Sequence, residues 1–346
     1  IEQMAAKARS QQINFRPHFK THQSWAVGQW FRELGIDQIT VSSLKMAAYF
    51  AADGWKDITV AFPVNVLAMN RIENLAAQVQ LNVVVESLHS VERLAAGLRA
   101  PVGVFVKIDT GYGRTGVPAE DTDLIDRLLE GLRASPQLRF KGFLSHYGHS
   151  YACRQIEDIQ TLYAQNTPKL IDLKARYQST FPDLMLSIGD TPSCSRVEDF
   201  GGVDEIRPGN FVFYDYTQYL IGAADIGDIA VAMSCPIVAL HPERGEVVVH
   251  GGSVHFSTDR IEDAQGRTLY GWVVENTGTG WGAALEDTYV KKLSQEHGII
   301  HGPKEWVEQL QIGDCLKILP IHSCLTADSM GAYRGVSSNT LLKMMA

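Results

Sequence analysis

Short apolar, β-branched runs alternate with amphipathic stretches through the first two thirds of the chain. Eight runs read as strands: Ile13–Phe15, Gln38–Val41, Asp57–Phe62, Asn82–Val85, Val102–Ile108, Phe140–Leu144, Leu184–Ile188 and Glu205–Ile206. Between most of them the apolar residues recur at helical spacing. Ser24–Leu34 stops at Gly35 and Leu44–Ala52 stops before Gly54, while Ser90–Leu98, Asp121–Leu132 and Gln155–Tyr177 follow the same period. A short strand followed by a helix, repeated in this way, predicts an α/β fold, a (β/α)8 TIM-like barrel. Such a barrel keeps its chemistry at the C-terminal ends of its strands. The unusual polar segments fall there: His18–His22, Asp109–Gly116, His146–Tyr151, Gly189–Ser195 and Arg207–Asn210. Polar loops follow any strand, but isolated Lys, His and Arg beside them point to a site.

The pattern changes after about Gly222. Ala230–Met233, Ile237–Ala239, Glu246–Val249, Leu269–Val274 and Leu316–Leu319 read as strands between turn residues, and only Leu293–His297 and Lys304–Leu310 read as helical. The expectation is a barrel over residues 1–222 and a smaller, mostly-β domain over 223–346. Two domains also fit a chain of 346 residues at roughly 150 residues per domain.

With 31 Lys+Arg against 39 Asp+Glu, the formal net charge is −8. An acidic chain without a basic stripe argues against nucleic-acid binding. No apolar run approaches the ~20 residues that cross a membrane as a helix. The five cysteines, Cys153, Cys194, Cys235, Cys315 and Cys324, are odd in number and scattered. They do not read as a disulfide framework, so a reducing compartment, the cytoplasm, is expected. Ile1–Arg9 reads as the interior of an amphipathic helix without an initiator Met, so further residues, and any targeting signal, are expected upstream.

Five segments carry the chemistry. In Arg16-Pro-His-Phe-Lys-Thr-His22, Lys20 follows the first strand. His18, His22 and Arg16 are cationic neighbours that would lower its pKa toward the free amine needed for a Schiff base. In Lys107-Ile-Asp-Thr-Gly-Tyr-Gly-Arg-Thr-Gly116, Gly111, Gly113 and Gly116 spell a dinucleotide fingerprint after a strand. A helix should open there directly, but Pro118 intervenes, so we read a tight loop that presents Arg114 to an anionic oxygen. Gly278–Ala283 is a looser, accidental match. His146, His149 and Tyr151 follow the sixth strand without an adjacent acid. The loops Gly189–Ser193 and Arg207–Asn210 follow the last two strands, where barrels often hold phosphate on loop amides and a helix N-terminus. Thr191 and Ser193 supply hydroxyls there, and Gly209 and Asn210 supply amides. In His322-Ser-Cys324, a strand-like conformation would put imidazole and thiolate on one face, able to chelate a borderline ion. His297 and His301 stand four apart, but Glu296 precedes them, so no H-E-x-x-H motif is present. A G-x-x-x-x-G-K-[ST] loop and a G-x-S-x-G elbow are also missing.

Taken together, RPHFKTH, KIDTGYGRTG, HYGHSYAC, GDTPSCS, EIRPGNFVFYD and HSCLTA resemble the D-serine dehydratase-like and D-threonine aldolase-like branch of the alanine racemase fold group, in the family's order and over nearly the whole chain. The resemblance implies pyridoxal phosphate as cofactor, a barrel with a β domain, a D-amino acid substrate and a homodimer. By position, Lys20 matches the Schiff-base lysine, Arg114 the arginine at the phenolic oxygen, and Tyr151 the tyrosine beside the pyridine nitrogen. Thr191, Gly209 and Asn210 match the phosphate site. His322 and Cys324 match the zinc ligands of the dehydratases, whereas aldolases usually carry Asp at the second position and use other divalent ions. Two departures stand out. Gln23 replaces a frequent lysine, leaving Lys20 the only lysine in its loop, and Asp190 stands where a small residue is common and would repel a phosphate. The family's first strand is expected upstream of Ile1.

The implied reaction is dehydration of a D-3-hydroxy amino acid to a keto acid and ammonia, with Lys20 as the base and zinc or another divalent ion aiding departure of the hydroxyl. Retro-aldol cleavage to glycine and an aldehyde uses the same site. A racemase would need a second base on the opposite face, which we cannot place. A non-catalytic carrier of the cofactor would need neither the β domain nor the H-x-C pair.

Overall fold

The computed structural model describes residues 1–278 and 280–345. They form two compact units, residues 1–211 with Met345, and residues 212–344.

The first unit opens with α1 (Glu2–Ser10) and β1 (Asn14–Phe15). There follow α2 (Trp25–Glu33), β2 (Gln38–Val41), α3 (Leu44–Ala52), β3 (Asp57–Pro63), α4 (Met69–Ala76), β4 (Gln80–Val85), α5 (Leu88–Gly97) and β5 (Val102–Asp109). The short β6 (Val117–Pro118) pairs with the end of β5 and precedes α6 (Thr122–Arg133), β7 (Leu138–Leu144), α7 (Ile156–Tyr177), β8 (Met185–Ile188), α8 (Thr191–Arg196) and β9 (Glu205–Ile206). The parallel strands run β1-β9-β8-β7-β5-β4-β3-β2. The ring closes through the loop after β1: Phe19 N–H donates to Thr40 O at 2.8 Å and Thr40 N–H to Pro17 O at 2.9 Å. The expected (β/α)8 barrel is present, with each of its eight strands. Helix α4 was not anticipated; its apolar contribution to the core is only Ile72 and Leu75, too short a stripe to stand out.

Residues Val102–Ile108 of β5 are all buried, as a strand covered on both sides requires. A buried polar network ties several strands together. Arg16 contacts Glu205 on β9 at 2.7 Å, Asp57 on β3 at 2.5 Å and Gln38 on β2 at 2.6 Å. Burial opposes its charge, but Glu205 and Asp57 outweigh that and raise its pKa. Thus Arg16 serves the barrel wall rather than Lys20.

The second unit has α9 (Tyr216–Leu220), β10 (Met233–His241), β11 (Glu246–His250), α10 (Ser253–Phe256), the hairpin β12 (Ile261–Glu262) and β13 (Thr268–Leu269), β14 (Gly271–Asn276), β15 (Trp281–Leu293), β16 (His297–His301), α11 (Lys304–Val307), β17 (Cys315–Pro320), α12 (Ser323–Met330) and the hairpin β18 (Ala332–Arg334) and β19 (Leu341–Lys343). Strands β10-β11-β16-β15-β14-β17 close an antiparallel barrel around Ile237, Val247, Val249, Val273, Ile300 and Ile318. The mostly-β expectation therefore holds. Two details are corrected. Leu293–His297 is not helical but the turn of the β15–β16 hairpin, where Ser294 N–H donates to His297 O at 2.8 Å; cross-strand pairing outweighs the helical spacing of five residues. Ile237–Ala239 belongs to one long strand with Met233. The Gly278–Ala283 run includes Thr279, which lies outside the described residues. Among the described residues no helix is long and apolar enough to cross a membrane.

Gly142 explains how β7 fits between its neighbours. Its φ is +137°, and a Cβ there would fall 1.9 Å from Met185 O on β8. Gly142→Ala is therefore expected to cost well over the ~1–2 kcal/mol of the left-handed penalty alone. Gly35→Ala, at φ +78° with open space around it, should cost no more than that penalty. Denaturant unfolding of both variants checks this; equal losses would refute the packing argument.

Candidate active site

The loop after β1 is built on two buried rings. Phe19 is fully buried, 5.0 Å from the Phe31 and Trp55 rings and 4.9 Å from Phe50. His22 is also buried, 4.3 Å from Phe19, and its Nδ1 accepts the Ser24 N–H at 3.2 Å. Lys20, between these anchors, is exposed. Burial drives the His22 pKa to about 3. Burial, then the charges of Lys20 and Arg207, hold His18 well below the usual value. Both rings are neutral near pH 7, so neither supplies the positive charge assigned to it from the sequence.

After β5, the Asp109 carboxylate gathers the amides of Gly111 and Tyr112 at 2.9 Å each and of Gly113 at 3.0 Å. The three glycines of the fingerprint all have positive φ, and a Cβ on Gly116 would meet Asp109 N at 2.6 Å. The glycines build a turn around a carboxylate, and α6 begins only at Thr122, so the dinucleotide reading fails on geometry as well. The exposed Arg114 lies over the Tyr112 ring at 5.1 Å.

Further along the same strand ends, Tyr151 sits half-buried in the turn Gly148–Ala152, 6.4 Å from the His146 ring. His146 Nδ1 contacts Gly189 O. Asp190 is the N-cap of α8: it accepts the Ser193 N–H and the Ser150 hydroxyl, both at 2.8 Å. Burial lifts its pKa to about 6. This carboxylate takes the helix amide that a phosphate was expected to use, so the α8 N-terminus does not offer Ser193 N–H to a ligand. Thr191 is buried and accepts the Phe211 N–H at 3.3 Å. Gly209 packs against the Lys20 loop, where a Cβ would lie 3.0 Å from His18 O. Asn210, beside it, is buried. The fold thus joins the proposed phosphate loop to the Lys20 loop.

Sequence reasoning passed over Arg207 and Lys107 as site groups. Arg207 Nε donates to Ser187 Oγ at 2.7 Å and Nη2 to Ser145 O at 2.6 Å; burial lowers its pKa to about 10. Lys107 is 7 % exposed, and burial, then Arg207 and Arg114, push it down to about 7. A buried lysine whose ammonium form is opposed by Arg207 and Arg114 is a fit for a strongly anionic ligand such as a phosphate ester, and the residues present accept pyridoxal phosphate on that ground.

The second unit holds the His322–Cys324 pair. The expected strand-like geometry is corrected: His322 is the N-cap of α12, and Cys324 lies in its first turn, buried. The Ser323 N–H donates to Asp215 at 3.0 Å, which fixes this helix start. His322 Nδ1 contacts Asp259 Oδ2 at 2.6 Å. Burial opposes a charged ring, but Asp259 and then Cys324 hold His322 up to about 10. With Nδ1–H directed to Asp259, Nε2 is the atom a divalent ion would take in exchange for its proton, the usual arrangement of a metal-binding histidine. An imidazole and a thiol so oriented suit zinc or a similar divalent ion. Asp259 stands 63 residues from His322 and carries no local signal that could have revealed it.

Residues 1–217 match the model of the alanine racemase N-terminal domain, and residues 230–336 match that of a serine dehydratase domain. The chain belongs to the alanine racemase N-terminal-domain family. It is 30% identical to D-serine dehydratase of Dictyostelium discoideum, across 97% of this chain and 89% of that one. It is 29% identical to D-threo-3-hydroxyaspartate dehydratase of Delftia sp. (strain HT23), across 98% of this chain and 91% of that one. The solved structure of the Delftia enzyme matches with a TM-score of 0.90 at 27% identity, covering 99% of this chain and 93% of that one. A cysteine-to-alanine variant of it, in the metal-free form, matches at 0.91 with 27% identity and the same coverage. D-threonine aldolase from Filomicrobium marinum, at 20% identity and a TM-score of 0.82 over 96% of this chain and 86% of that one, shares the fold of this family.

Two expectations follow from the geometry. The charged form of Lys107 opposes folding below pH 7, and that cost fades as pH rises from about 7 toward the unfolded value of ~10.4. Lys107→Met should therefore raise the melting temperature of cofactor-free protein most below pH 7, with the gain shrinking toward pH 10; a pH-independent difference would overturn the assignment. Asp259→Asn should weaken zinc binding at the His322–Cys324 pair by about 10–100-fold, read by competition with a chromophoric chelator. Unchanged affinity would show that Asp259 does not orient the ring.

Proposed function

We propose that the chain is a pyridoxal-phosphate-dependent dehydratase of a D-3-hydroxy amino acid such as D-serine, assisted by zinc or another divalent ion. The observation that carries the reading is Lys20: an exposed amine between two buried aromatic anchors, in a unit whose neighbouring groups are rich in positive charge. We assign the cofactor to the barrel, residues 1–222, and the ion to the β-rich part, residues 223–346.

When bound, pyridoxal phosphate supplies an aldehyde that links covalently to amines and a ring that stabilises negative charge at Cα, and a divalent ion supplies Lewis acidity toward a hydroxyl. Lys20 would hold the cofactor and, once displaced by the substrate amine, take the α-proton on its Nζ. Arg114 would face the phenolic oxygen and Tyr151 the pyridine nitrogen. Thr191, Gly209 and Asn210 would hold the phosphate, with Lys107 and Arg207 adding positive charge nearby. Burial lowers the basicity of His18 and His22, which makes them poor proton acceptors and favours Lys20 in that role within its loop. His322 and Cys324 would hold the ion, with Asp259 fixing the imidazole. Loss of water from the substrate and hydrolysis of the resulting imine give a keto acid and ammonia, pyruvate in the case of D-serine.

The dehydratase relatives support this substrate class, and Cys324 supports dehydration over cleavage. Retro-aldol cleavage is the second reading, supported by 25% identity to 3-hydroxy-D-aspartate aldolase of Paracoccus denitrificans over 97% of this chain. We further propose a cytoplasmic homodimer; five scattered cysteines, with no disulfide among the described residues, support a reducing compartment.

One assay separates the readings. Incubation with D-serine and with D-threonine, with and without a chelator, should yield keto acid and ammonia that disappear on chelation. Glycine plus an aldehyde would assign the aldolase instead. In the same series Lys20→Ala should lose both turnover and the absorption band of lysine-bound cofactor, and a retained band would refute Lys20 as the anchor.

A further inference from the structure

Among the described residues, three side chains of metal-ligating type converge at the surface of the second unit, at a place that does not include His322 and Cys324. His250 ends β11, His255 lies in α10, and Glu296 sits in the β15–β16 turn. His250 Nε2 is 3.3 Å and His255 Nε2 3.8 Å from the same Glu296 Oε2. The two imidazoles stand 5.2 Å apart at 88°, and one ligand atom from each of the three residues lies within 4.8 Å of the others. The backbone beneath them is clamped. His250 pairs in register with His297; Gly251 N–H donates to Glu296 O at 3.0 Å, Ser253 N–H to Ser294 O at 2.8 Å and Val254 N–H to Gln295 O at 3.2 Å. The two loops press together so closely that a Cβ on Gly252 would fall 2.3 Å from Gln295 O. Three donors from three elements are thus held on a rigid frame, which is what preorganises a site.

We propose that His250, His255 and Glu296 form a second divalent-cation site, with two imidazoles and one carboxylate as ligands and the remaining positions open to water. The donor set selects among ions. His255 Nδ1 accepts the Gly252 N–H at 3.1 Å, so in the cation-free state the ring proton sits on Nε2. Binding moves that proton to Nδ1 and gives up the Gly252 bond. The site therefore favours ions with a strong preference for imidazole, such as zinc, cobalt, nickel or copper, over magnesium and calcium.

The test is metal stoichiometry on the full chain after equilibration with zinc. His250→Ala leaves the His255–Gly252 bond in place and should lower bound zinc by one equivalent relative to its parent, in the wild-type background and in Cys324→Ala alike. That difference is independent of whether the His322–Cys324 pair binds metal. Glu296→Gln should weaken the same equivalent by at least tenfold. Cobalt bound to Cys324→Ala should show ligand-field bands without thiolate-to-metal charge transfer. Equal zinc content in parent and His250→Ala overturns the proposal, as does cobalt binding whose spectrum His250→Ala leaves unchanged.

Discussion

The barrel depends on a chain of buried charges. Arg16 pairs with Glu205, whose other oxygen accepts the Ser187 hydroxyl at 2.6 Å, and Ser187 in turn accepts from Arg207. Placing a guanidinium where 2 % of it meets solvent is costly unless its partners are aligned, and removing one partner of such a pair usually costs more than the pair contributes. Here the alignment joins β1, β3, β8 and β9, so closing the barrel and neutralising Arg16 are one event. Arg207 gains its fixed position from the same chain. The loop carrying Gly189 then approaches Arg207 so closely that a Cβ would lie 2.9 Å from it, and the loop carrying Gly209 packs tightly on His18, where a Cβ would lie 3.0 Å from its carbonyl oxygen.

Electrostatics around Lys20 are shaped more by burial than by nominal charge. Three groups in or near the loop, Arg16, His18 and His22, look cationic in the sequence. Arg16 is satisfied inside the barrel, and the two imidazoles are too dehydrated to hold a proton at neutral pH. The cations that remain, Lys107, Arg114 and Arg207, come from other strands. Burial, Arg207 and Arg114 oppose the charged form of Lys107, and an anionic ligand beside it would favour that form, which would couple ligand binding to stability.

How much of this was legible depended on the range of the interaction. Strand–helix alternation is local, so the barrel could be read directly, and the loop motifs fell after the strands they should follow. Asp121 before α6 and Gly35 after α2 are likewise local stop and start signals. What could not be read were contacts between distant segments. Asp259 reaches His322, and Asp190 accepts hydrogen bonds from Ser150 and Ser193. The H-x-C pair was assigned to an extended segment because a strand precedes it. Asp215, more than a hundred residues earlier, accepts the Ser323 amide and starts a helix instead. The hairpin at Leu293–His297 was obscured in the same way, since the pairing that defines it spans both strands.

Carboxylates emerge as the organisers of both units. Asp109 gathers three loop amides, Asp190 caps α8, Asp215 holds the starts of α9 and α12, and Asp259 holds an imidazole. The chain is acidic, with a net charge of −8, yet its candidate cofactor site places Lys107 within the influence of Arg207 and Arg114, with Asp109 and Glu86 exerting a weaker, opposite effect. The two facts are compatible because these acids already accept hydrogen bonds from backbone and side chains, Asp109 within its own loop and Asp190, Asp215 and Asp259 also from distant segments. A carboxylate engaged in this way positions its neighbours and still lets the unshared cations set the local potential. Net charge therefore excludes broad polyanion binding but says little about a small anionic cofactor, whose fit is decided by which charges the fold has already paired.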